Sequence, residues 1–186
     1  GVTTGEWGAA IRAVFGEYRA PTGVSAAPSN RTEGLDEVRE AVAAVSTRLG
    51  RPLRLLLGKP GLDGHSNGAE QIAARARDCG IEITYDGIRL TPAEIVAAAA
   101  DKRPDVIGLS ILSGSHLPLI QETLQLLQEA GLSRTPLVLG GIIPDDDAIT
   151  LTAMGIAKVY TPKDFQLNQI MLDLVALADP GVAAAE

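Results

Sequence analysis

The sequence predicts an α/β fold in which a five-stranded parallel sheet carries helices on both faces. From residue 51 onward, short aliphatic runs that are typical of buried strands alternate with longer segments of helical periodicity. Residues that favour turns separate many of these segments. Hydrophobic residues make up 46% of the 186-residue chain but aromatic residues only 3%, which predicts a core of Ala, Val, Leu and Ile.

Strands and helices are expected to follow one another in strict alternation, as in a flavodoxin-like (Rossmann-type) domain. The strands are predicted at Leu53–Leu57, Ile81–Tyr85, Asp105–Leu109, Leu137–Leu139 and Ala157–Tyr160. The helices are predicted at Gly68–Cys79, Pro92–Ala100, Leu117–Ala130, Asp145–Met154 and Phe165–Leu177. Thr91 followed by Pro92 is typical of a helix start, and Gly131 and Gly155 each follow a predicted helix end.

A helical linker region precedes the alternating part of the chain. Apolar residues at helical spacing predict a short amphipathic helix within residues 1–20 and a second one at Leu35, Val38, Val42, Val45 and Leu49. Residues 21–33 have the Pro-, Ser- and Gly-rich composition of a linker. We therefore expect a lead-in region at 1–50, a domain at 51–180 and a flexible tail at 181–186. Three aromatic residues near the start are expected to pack against a neighbouring domain: Trp7, Phe15 and Tyr18.

Charge and composition exclude several classes of partner. The formal net charge is −7 and no basic face is evident, which argues against nucleic acid. No apolar run approaches the roughly 18 residues that a transmembrane helix needs, and no signal peptide is evident. The single cysteine, Cys79, permits no intramolecular disulfide. We expect a cytoplasmic location with neither nucleic acid nor a membrane as partner.

Open parallel sheets bind ligands beyond the carboxyl ends of their strands, which directs attention to four loops. They are residues 58–66, 110–115, 140–144 and 161–164. The first loop is longer than the ordinary connection of about 2–6 residues. It lacks both the G-K-[ST] ending of a P-loop and the glycine spacing of the dinucleotide fingerprint.

His65, in the first loop, is the candidate metal ligand. Asp63 is placed to accept a hydrogen bond from the imidazole, which would orient it, and Lys59 could neutralise Asp63. One histidine is too few for a protein-only cage, which takes about three or four ligands. A metal would therefore have to arrive with most of its coordination filled. The alternative interpretation is that His65 caps the loop.

Three motifs in order resemble a known signature. Asp63-x-His65-x-x-Gly68 is followed after 41 residues by Ser110-Ile111-Leu112 and after 27 more by Gly140-Gly141. This arrangement resembles the D-x-H-x-x-G, S-x-L and G-G motifs of the cobalamin-binding domains of B12-dependent mutases and methionine synthase.

The resemblance implies base-off cobalamin with His65 as the lower axial ligand of cobalt, Asp63 as its hydrogen-bond partner and Lys59 completing the relay. The dimethylbenzimidazole tail is then expected in a slot between the sheet and a helix. The residues expected at this slot are Gly68, Ser110, Leu112, Gly140, Gly141, Tyr160, Thr161 and Pro162. Further cofactor contacts are expected at Gly64, Ser66, Asn67 and Gly114.

A longer resemblance points to the acyl-CoA mutases. Residues 58–65 and 142–144 resemble their C-terminal domain, and residues 4–19 resemble the end of their catalytic barrel. Residues 109–116 and 159–165 are most similar to the ethylmalonyl-CoA mutase branch. This implies adenosylcobalamin as cofactor, a radical rearrangement of ethylmalonyl-CoA to methylsuccinyl-CoA, a barrel partner that binds the acyl-CoA, and a homodimeric full enzyme. The isolated chain is expected to be inactive.

Other functions stay open at this point. A methylmalonyl-CoA or isobutyryl-CoA mutase is the nearest alternative. A corrinoid carrier for methyl transfer or a B12 sensor is disfavoured, because such modules usually begin with a four-helix cap. A flavodoxin-like regulatory domain without a cofactor would require the three motifs to be a coincidence.

Several polar or reactive residues have ordinary structural interpretations. His116 matches a family position near the corrin but could equally be a first-turn helix residue, and Ser115 is the expected N-cap of that helix. Residues 145–147, all aspartates, are expected at a helix N-terminus rather than at a metal site. Cys79 is expected to be inert and partly buried.

Overall fold

Strands and helices alternate along the chain in the predicted order. The computed structural model describes residues 1–16, 34–164 and 166–179. The strands are β1 (Arg54–Gly58), β2 (Glu82–Tyr85), β3 (Val106–Ile111), β4 (Leu137–Gly141) and β5 (Lys158–Tyr160). The helices are α1 (Thr4–Phe15), α2 (Leu35–Leu49), α3 (Asn67–Asp78), α4 (Pro92–Lys102), α5 (His116–Glu129), α6 (Asp145–Ala153) and α7 (Leu167–Ala178). The predicted linker, Tyr18, Phe165 and the predicted tail lie outside the described residues.

The five strands form one parallel sheet in the order β2-β1-β3-β4-β5, which confirms the flavodoxin-like fold. The chain leaves β1 toward β2 on one side and leaves β3 toward β4 on the other. The loops that follow β1 and β3 therefore diverge at the carboxyl edge of the sheet. This is the switch point at which open α/β sheets bind ligands.

Alternating side chains of the strands build two aliphatic cores. Leu55 and Leu57 face the layer formed by α2, α3 and α7, whereas Leu56 faces the layer formed by α4, α5 and α6. Both faces are covered, as a parallel sheet requires. No helix in the described parts of the chain is long and apolar enough to cross a membrane.

The two lead-in helices differ in their burial. Helix α2 is part of the core, since Leu35, Val38, Val42 and Val45 are buried in the same cluster as β1. Helix α1 buries none of its residues, and the side chains of Trp7 and Phe15 remain exposed.

Two strands run further than the sequence predicts. The prediction placed Ser110 in the loop after β3 and Gly140 and Gly141 in the loop after β4, but all three belong to the strands. Parallel pairing of Ser110 with Gly140 and of Ile111 with Gly141 extends both strands. The pairing was not visible in sequence because glycine and serine are weak strand formers on their own.

The predicted N-cap at Thr91 is confirmed, and this residue forms a reciprocal capping box with Glu94. Ser115 is the N-cap residue of α5, as expected, but its side chain does not cap the helix. Its hydroxyl lies 2.7 Å from the hydroxyl of Ser113 instead. Cys79 is buried, and desolvation raises the pKa of its thiol.

Candidate functional site

The loop that carries His65 is anchored to the sheet at its start. Gly61 donates its backbone N–H to the Leu90 carbonyl, and Leu90 donates to the Lys59 carbonyl, both at 3.0 Å. This parallel bridge ties the loop to the segment that follows β2. Gly61 has a φ of 89°, a conformation that favours glycine. The loop is therefore held at its base while its far part, residues 62–66, extends from the carboxyl edge.

His65 and Asp63 form a hydrogen-bonded pair, as the sequence predicts. The Nδ1 atom of His65 lies 2.6 Å from Oδ1 of Asp63, and the His65 backbone N–H donates to the same oxygen at 3.0 Å. These two bonds, followed by the contact with Lys59, hold the pKa of Asp63 well below its usual value. The ionised carboxylate can only accept, so Nδ1 carries a proton, and in the neutral imidazole Nε2 then keeps its lone pair. The imidazole is 82% exposed, so a lone pair suited to a metal faces outward.

Lys59 lies beneath this pair with its side chain only 1% exposed. Its ammonium is 3.3 Å from Oδ2 of Asp63 and 3.3 Å from the carbonyl oxygen of Ser110. A buried ammonium requires such partners, because an unpaired charge in the interior is costly. Lys59 thus links Asp63, and with it His65, to β3.

A cavity of about 350 Å³ opens beside this loop, between the sheet and helices α3 and α7. Its walls are mostly aliphatic side chains from β1, β4 and the two helices, including Leu55, Leu57, Val138, Ile72, Ile170 and Leu174. All eight of the predicted slot residues line it: Gly68, Ser110, Leu112, Gly140, Gly141, Tyr160, Thr161 and Pro162. The structure thus brings these eight together around one space.

The remaining predicted contacts lie elsewhere. Lys59, Asp63, Gly64, His65 and Ser66 belong to the loop between β1 and α3, and Asn67 begins α3; none of them lines the cavity. Gly114 is exposed in the β3–α5 loop and does not line the cavity.

Two polar side chains in the cavity wall differ in availability. The Ser110 hydroxyl has no hydrogen-bond partner within the described ranges, although the residue is buried. The Tyr160 hydroxyl donates to Asp173 at 3.3 Å, and burial raises the pKa of this phenol. Ser110 is therefore free to bond a ligand in the cavity, whereas Tyr160 contributes mainly its ring.

Three glycines at the cavity serve different purposes. A β-carbon on Gly68 would meet nothing within 4 Å, and one on Gly140 would lie 3.9 Å from the Leu109 carbonyl oxygen, an ordinary contact. A β-carbon on Gly141 would overlap the carbonyl oxygen of Ile111 and lie 2.9 Å from its carbon. Gly68 and Gly140 thus leave space that a ligand can use. At position 141, in contrast, any side chain would collide with the backbone of β3.

Sequence reasoning missed part of the cavity wall. Gly108, in the middle of β3, lines it and has Leu57 where its own side chain would lie. A glycine inside a buried strand was a usable signal, since it marks close approach of other groups. The helical wall gave no distinguishing signal, because its residues follow the usual apolar spacing: Ile72, Leu167, Ile170 and Leu174.

His116 is the first residue of α5, is buried, and lies on the other side of the carboxyl edge. Its Nε2 is 2.8 Å from Oδ2 of Asp147, in the first turn of α6. The three aspartates 145–147 stand at that helix N-terminus, as predicted. Among the described residues, no group of three or more potential ligands gathers to hold a metal ion. His65 is therefore the exposed imidazole at this edge.

Fold and geometry together define a class of protein. It is a parallel α/β domain that presents one exposed imidazole and an apolar slot at its switch point. Residues 53–163 match the family described as the B12 binding domain, and the chain belongs to this family.

Several acyl-CoA mutases are similar to this chain in sequence. The chain is 69% identical over its whole length to ethylmalonyl-CoA mutase of Cereibacter sphaeroides and 56% identical over 96% of its length to that of Methylorubrum extorquens. It spans only 28% and 26% of these two proteins. It is also 39% identical to the 2-hydroxyisobutanoyl-CoA mutase small subunit of Aquincola tertiaricarbonis. That match covers 58% of this chain and 79% of the small subunit.

A solved structure supports the fold independently. A crystal structure of a cobalamin-binding protein from Desulfitobacterium hafniense superposes with a TM-score of 0.57. The match covers 89% of this chain and 76% of that one at 18% identity. At this identity the likeness concerns the fold alone.

Proposed function

We propose that this chain binds adenosylcobalamin with Nε2 of His65 on the cobalt and the dimethylbenzimidazole tail in the slot. The proposal rests on an exposed imidazole that is held by Asp63 and lies three residues before Gly68, which lines an apolar slot at the switch point. A corrin supplies four equatorial nitrogens, so a single protein nitrogen suffices for the axial position. The residues present therefore fit the cofactor.

Asp63 and Lys59 act through His65. Asp63 fixes the tautomer that leaves Nε2 unprotonated, and the partial negative charge it shares with the ring makes the imidazole a stronger donor. Lys59 adds to the effect of the His65 hydrogen bonds in keeping Asp63 ionised, and it ties Asp63 to β3. These residues orient the ligating nitrogen and tune its basicity.

The slot suits a flat, largely apolar group. Its aliphatic walls would bury the benzimidazole, and the unpartnered Ser110 hydroxyl would donate a hydrogen bond to its ring nitrogen. Gly68 and Gly140 leave the approach open. Tyr160, Thr161 and Pro162 would close the far end.

We further propose that the chain is the cofactor-binding part of a mutase that converts ethylmalonyl-CoA to methylsuccinyl-CoA. Identity of 69% and 56% to ethylmalonyl-CoA mutases across nearly the whole chain supports this branch. When bound, adenosylcobalamin supplies the radical chemistry of such rearrangements. Because the chain spans about a quarter of these relatives, a catalytic barrel is the expected partner and the site of acyl-CoA binding. We expect a homodimeric full enzyme in the cytoplasm.

The axial ligand can be tested spectroscopically. The chain has two histidines, His65 and His116, so ¹⁵N-histidine labelling is nearly site-specific. Electron paramagnetic resonance of the Co(II) form should show coupling to one histidine nitrogen. That coupling should disappear in His65→Ala and persist in His116→Gln. Absence of histidine coupling in the unmutated chain would refute the assignment.

The reaction can be tested by complementation. The 186-residue chain should bind adenosylcobalamin yet isomerise no acyl-CoA, and adding the catalytic barrel should restore turnover of ethylmalonyl-CoA. Turnover by the chain alone would refute its role as half of an active site. Preference of the restored enzyme for methylmalonyl-CoA would refute only the choice of substrate.

A further inference from the structure

Two arginines adopt left-handed backbone conformations that residues other than glycine rarely adopt. Within residues 1–16, 34–164 and 166–179, the non-glycine residues with positive φ are Arg89, at 62°, and Arg103, at 49°. Arg103 is the C-cap of α4, where a left-handed residue ends many helices, and its N–H bonds the Ala99 carbonyl. Arg89 ends no helix, so helix capping does not explain its left-handed conformation.

Arg89 is held in place by the segment on either side of it. Gly87, with a φ of 110°, turns the chain after β2, and Leu90 then pairs with Lys59 and Gly61 of the His65 loop. Non-glycine residues in such conformations cluster at ligand-binding sites, where the surroundings enforce the strain. The fold therefore fixes the direction in which the Arg89 side chain leaves the backbone with respect to that loop.

The guanidinium of Arg89 lies over the residue next to the proposed cobalt ligand. A β-carbon built on Gly64 would be 3.8 Å from Nη2 of Arg89. Arg89 is exposed, and in the described part of the chain it makes no hydrogen bond or ion pair. It does not line the slot. An unpaired cation thus lies next to Gly64, the residue before His65, and outside the slot proposed for the nucleotide tail.

We propose that Arg89 binds an amide carbonyl on the periphery of the corrin ring, an inference that rests on the proposed cobalamin binding. A corrin bound at Nε2 of His65 would extend over the neighbouring loop, and its amide arms would present carbonyl oxygens around its edge. The guanidinium offers several N–H donors and no acceptor, so a carbonyl oxygen is its natural partner. The charged donor makes this bond stronger than one between neutral groups.

This contact belongs to the macrocycle rather than to the nucleotide. Cobinamide, which has the corrin and its amide arms but lacks the nucleotide, should therefore depend on Arg89 as strongly as cobalamin does. The slot residues, in contrast, should matter for cobalamin alone. Comparing cobalamin with cobinamide thus distinguishes residues that contact the corrin from residues that contact the nucleotide.

The test compares Arg89→Asn with Arg103→Asn in the 186-residue chain. Asparagine tolerates the left-handed conformation, so both variants keep the backbone while removing a guanidinium. Dissociation constants for adenosylcobalamin and adenosylcobinamide are measured by absorption titration, and the melting temperature of each ligand-free variant is recorded. We expect about tenfold weaker binding of both ligands to Arg89→Asn, the scale of one hydrogen bond to a charged group. Arg103→Asn should bind like the unmutated chain, and both variants should melt within a few degrees of it.

Four results would overturn the inference. Unchanged binding to Arg89→Asn would show that Arg89 does not touch the cofactor, while leaving the proposed function intact. Loss of cobalamin binding with normal cobinamide binding would assign Arg89 to the nucleotide instead. A large fall in the melting temperature of ligand-free Arg89→Asn would indicate a structural role. Failure of the unmutated chain to bind either ligand would refute the proposed function and this assignment with it.

Discussion

Replacing Gly141 with alanine should damage the fold itself, whereas the same change at the adjacent Gly140 should be tolerated. Both glycines lie on β4 and both line the slot. A β-carbon on Gly141 would overlap the Ile111 carbonyl oxygen, and that residue is paired with it in the sheet. The nearest atom to a β-carbon on Gly140 is 3.9 Å away. The two variants thus add the same methyl group in two different environments.

The expected magnitude follows from what must move. Overpacking a core costs about 1–3 kcal/mol when side chains can adjust, and a backbone carbonyl in a paired strand adjusts less readily. We therefore expect Gly141→Ala to lose at least about 3 kcal/mol of unfolding free energy, a large part of the roughly 5–15 kcal/mol typical of a domain. The melting temperature should fall by roughly 10 °C, whereas Gly140→Ala should change it by a few degrees at most.

Urea denaturation of the ligand-free variants, followed by circular dichroism, measures this difference without any cofactor. Loss of less than about 1 kcal/mol in Gly141→Ala would refute the reasoning. The absence of a side chain at Gly141 would then reflect a demand of the ligand rather than of the β3–β4 pairing. Equal losses in both variants would refute it as well, because the two sites would not differ in packing.

Three further changes test other parts of the site. Gly140→Leu should place a side chain in the slot, weakening cobalamin binding at least tenfold while leaving cobinamide binding unchanged. If absorption titrations show an equal loss of affinity for both ligands, the slot assignment is contradicted. Because the pKa of Asp63 is lowered in the folded state, its contribution to stability is complete above its unfolded value of about 4 and is lost as pH falls further. In urea titrations the unfolding free energy of the unmutated chain should exceed that of Asp63→Asn, and this difference should shrink by up to about 1.4 kcal/mol per pH unit below pH 4. A difference that stays constant with pH would contradict this prediction. Lys59→Met keeps the buried volume but removes the ammonium that contacts Oδ2 of Asp63 and the Ser110 carbonyl oxygen, so it should cost about 1–3 kcal/mol in the same assay. Unchanged stability would show that the ammonium is dispensable.

Much of the site was predictable because it is local in sequence. Lys59, Asp63 and His65 lie within seven residues of one loop, and their hydrogen bonds require only that the loop turn back on itself. The alternation of strands and helices likewise follows from short-range patterns of apolar residues. The ends of the strands were less predictable. Ser110 belongs to β3 and Gly140 to β4 because the two residues pair with each other across the sheet.

The sequence by itself determined the fold class, the switch-point loop and the residues that hold the imidazole. Only the tertiary structure decided which helices close the slot, since Ile72 of α3 and Ile170 of α7 are almost a hundred residues apart and meet through the packing of both helices on one face of the sheet. It also separated Gly141, which the backbone of β3 requires, from Gly140, which leaves room for a ligand. It placed the unpaired Arg89 guanidinium over Gly64 through the bridge between Pro60 and Leu90. Periodicity reports which side of an element is buried, but contacts between distant segments depend on strand order and register, which no local pattern contains.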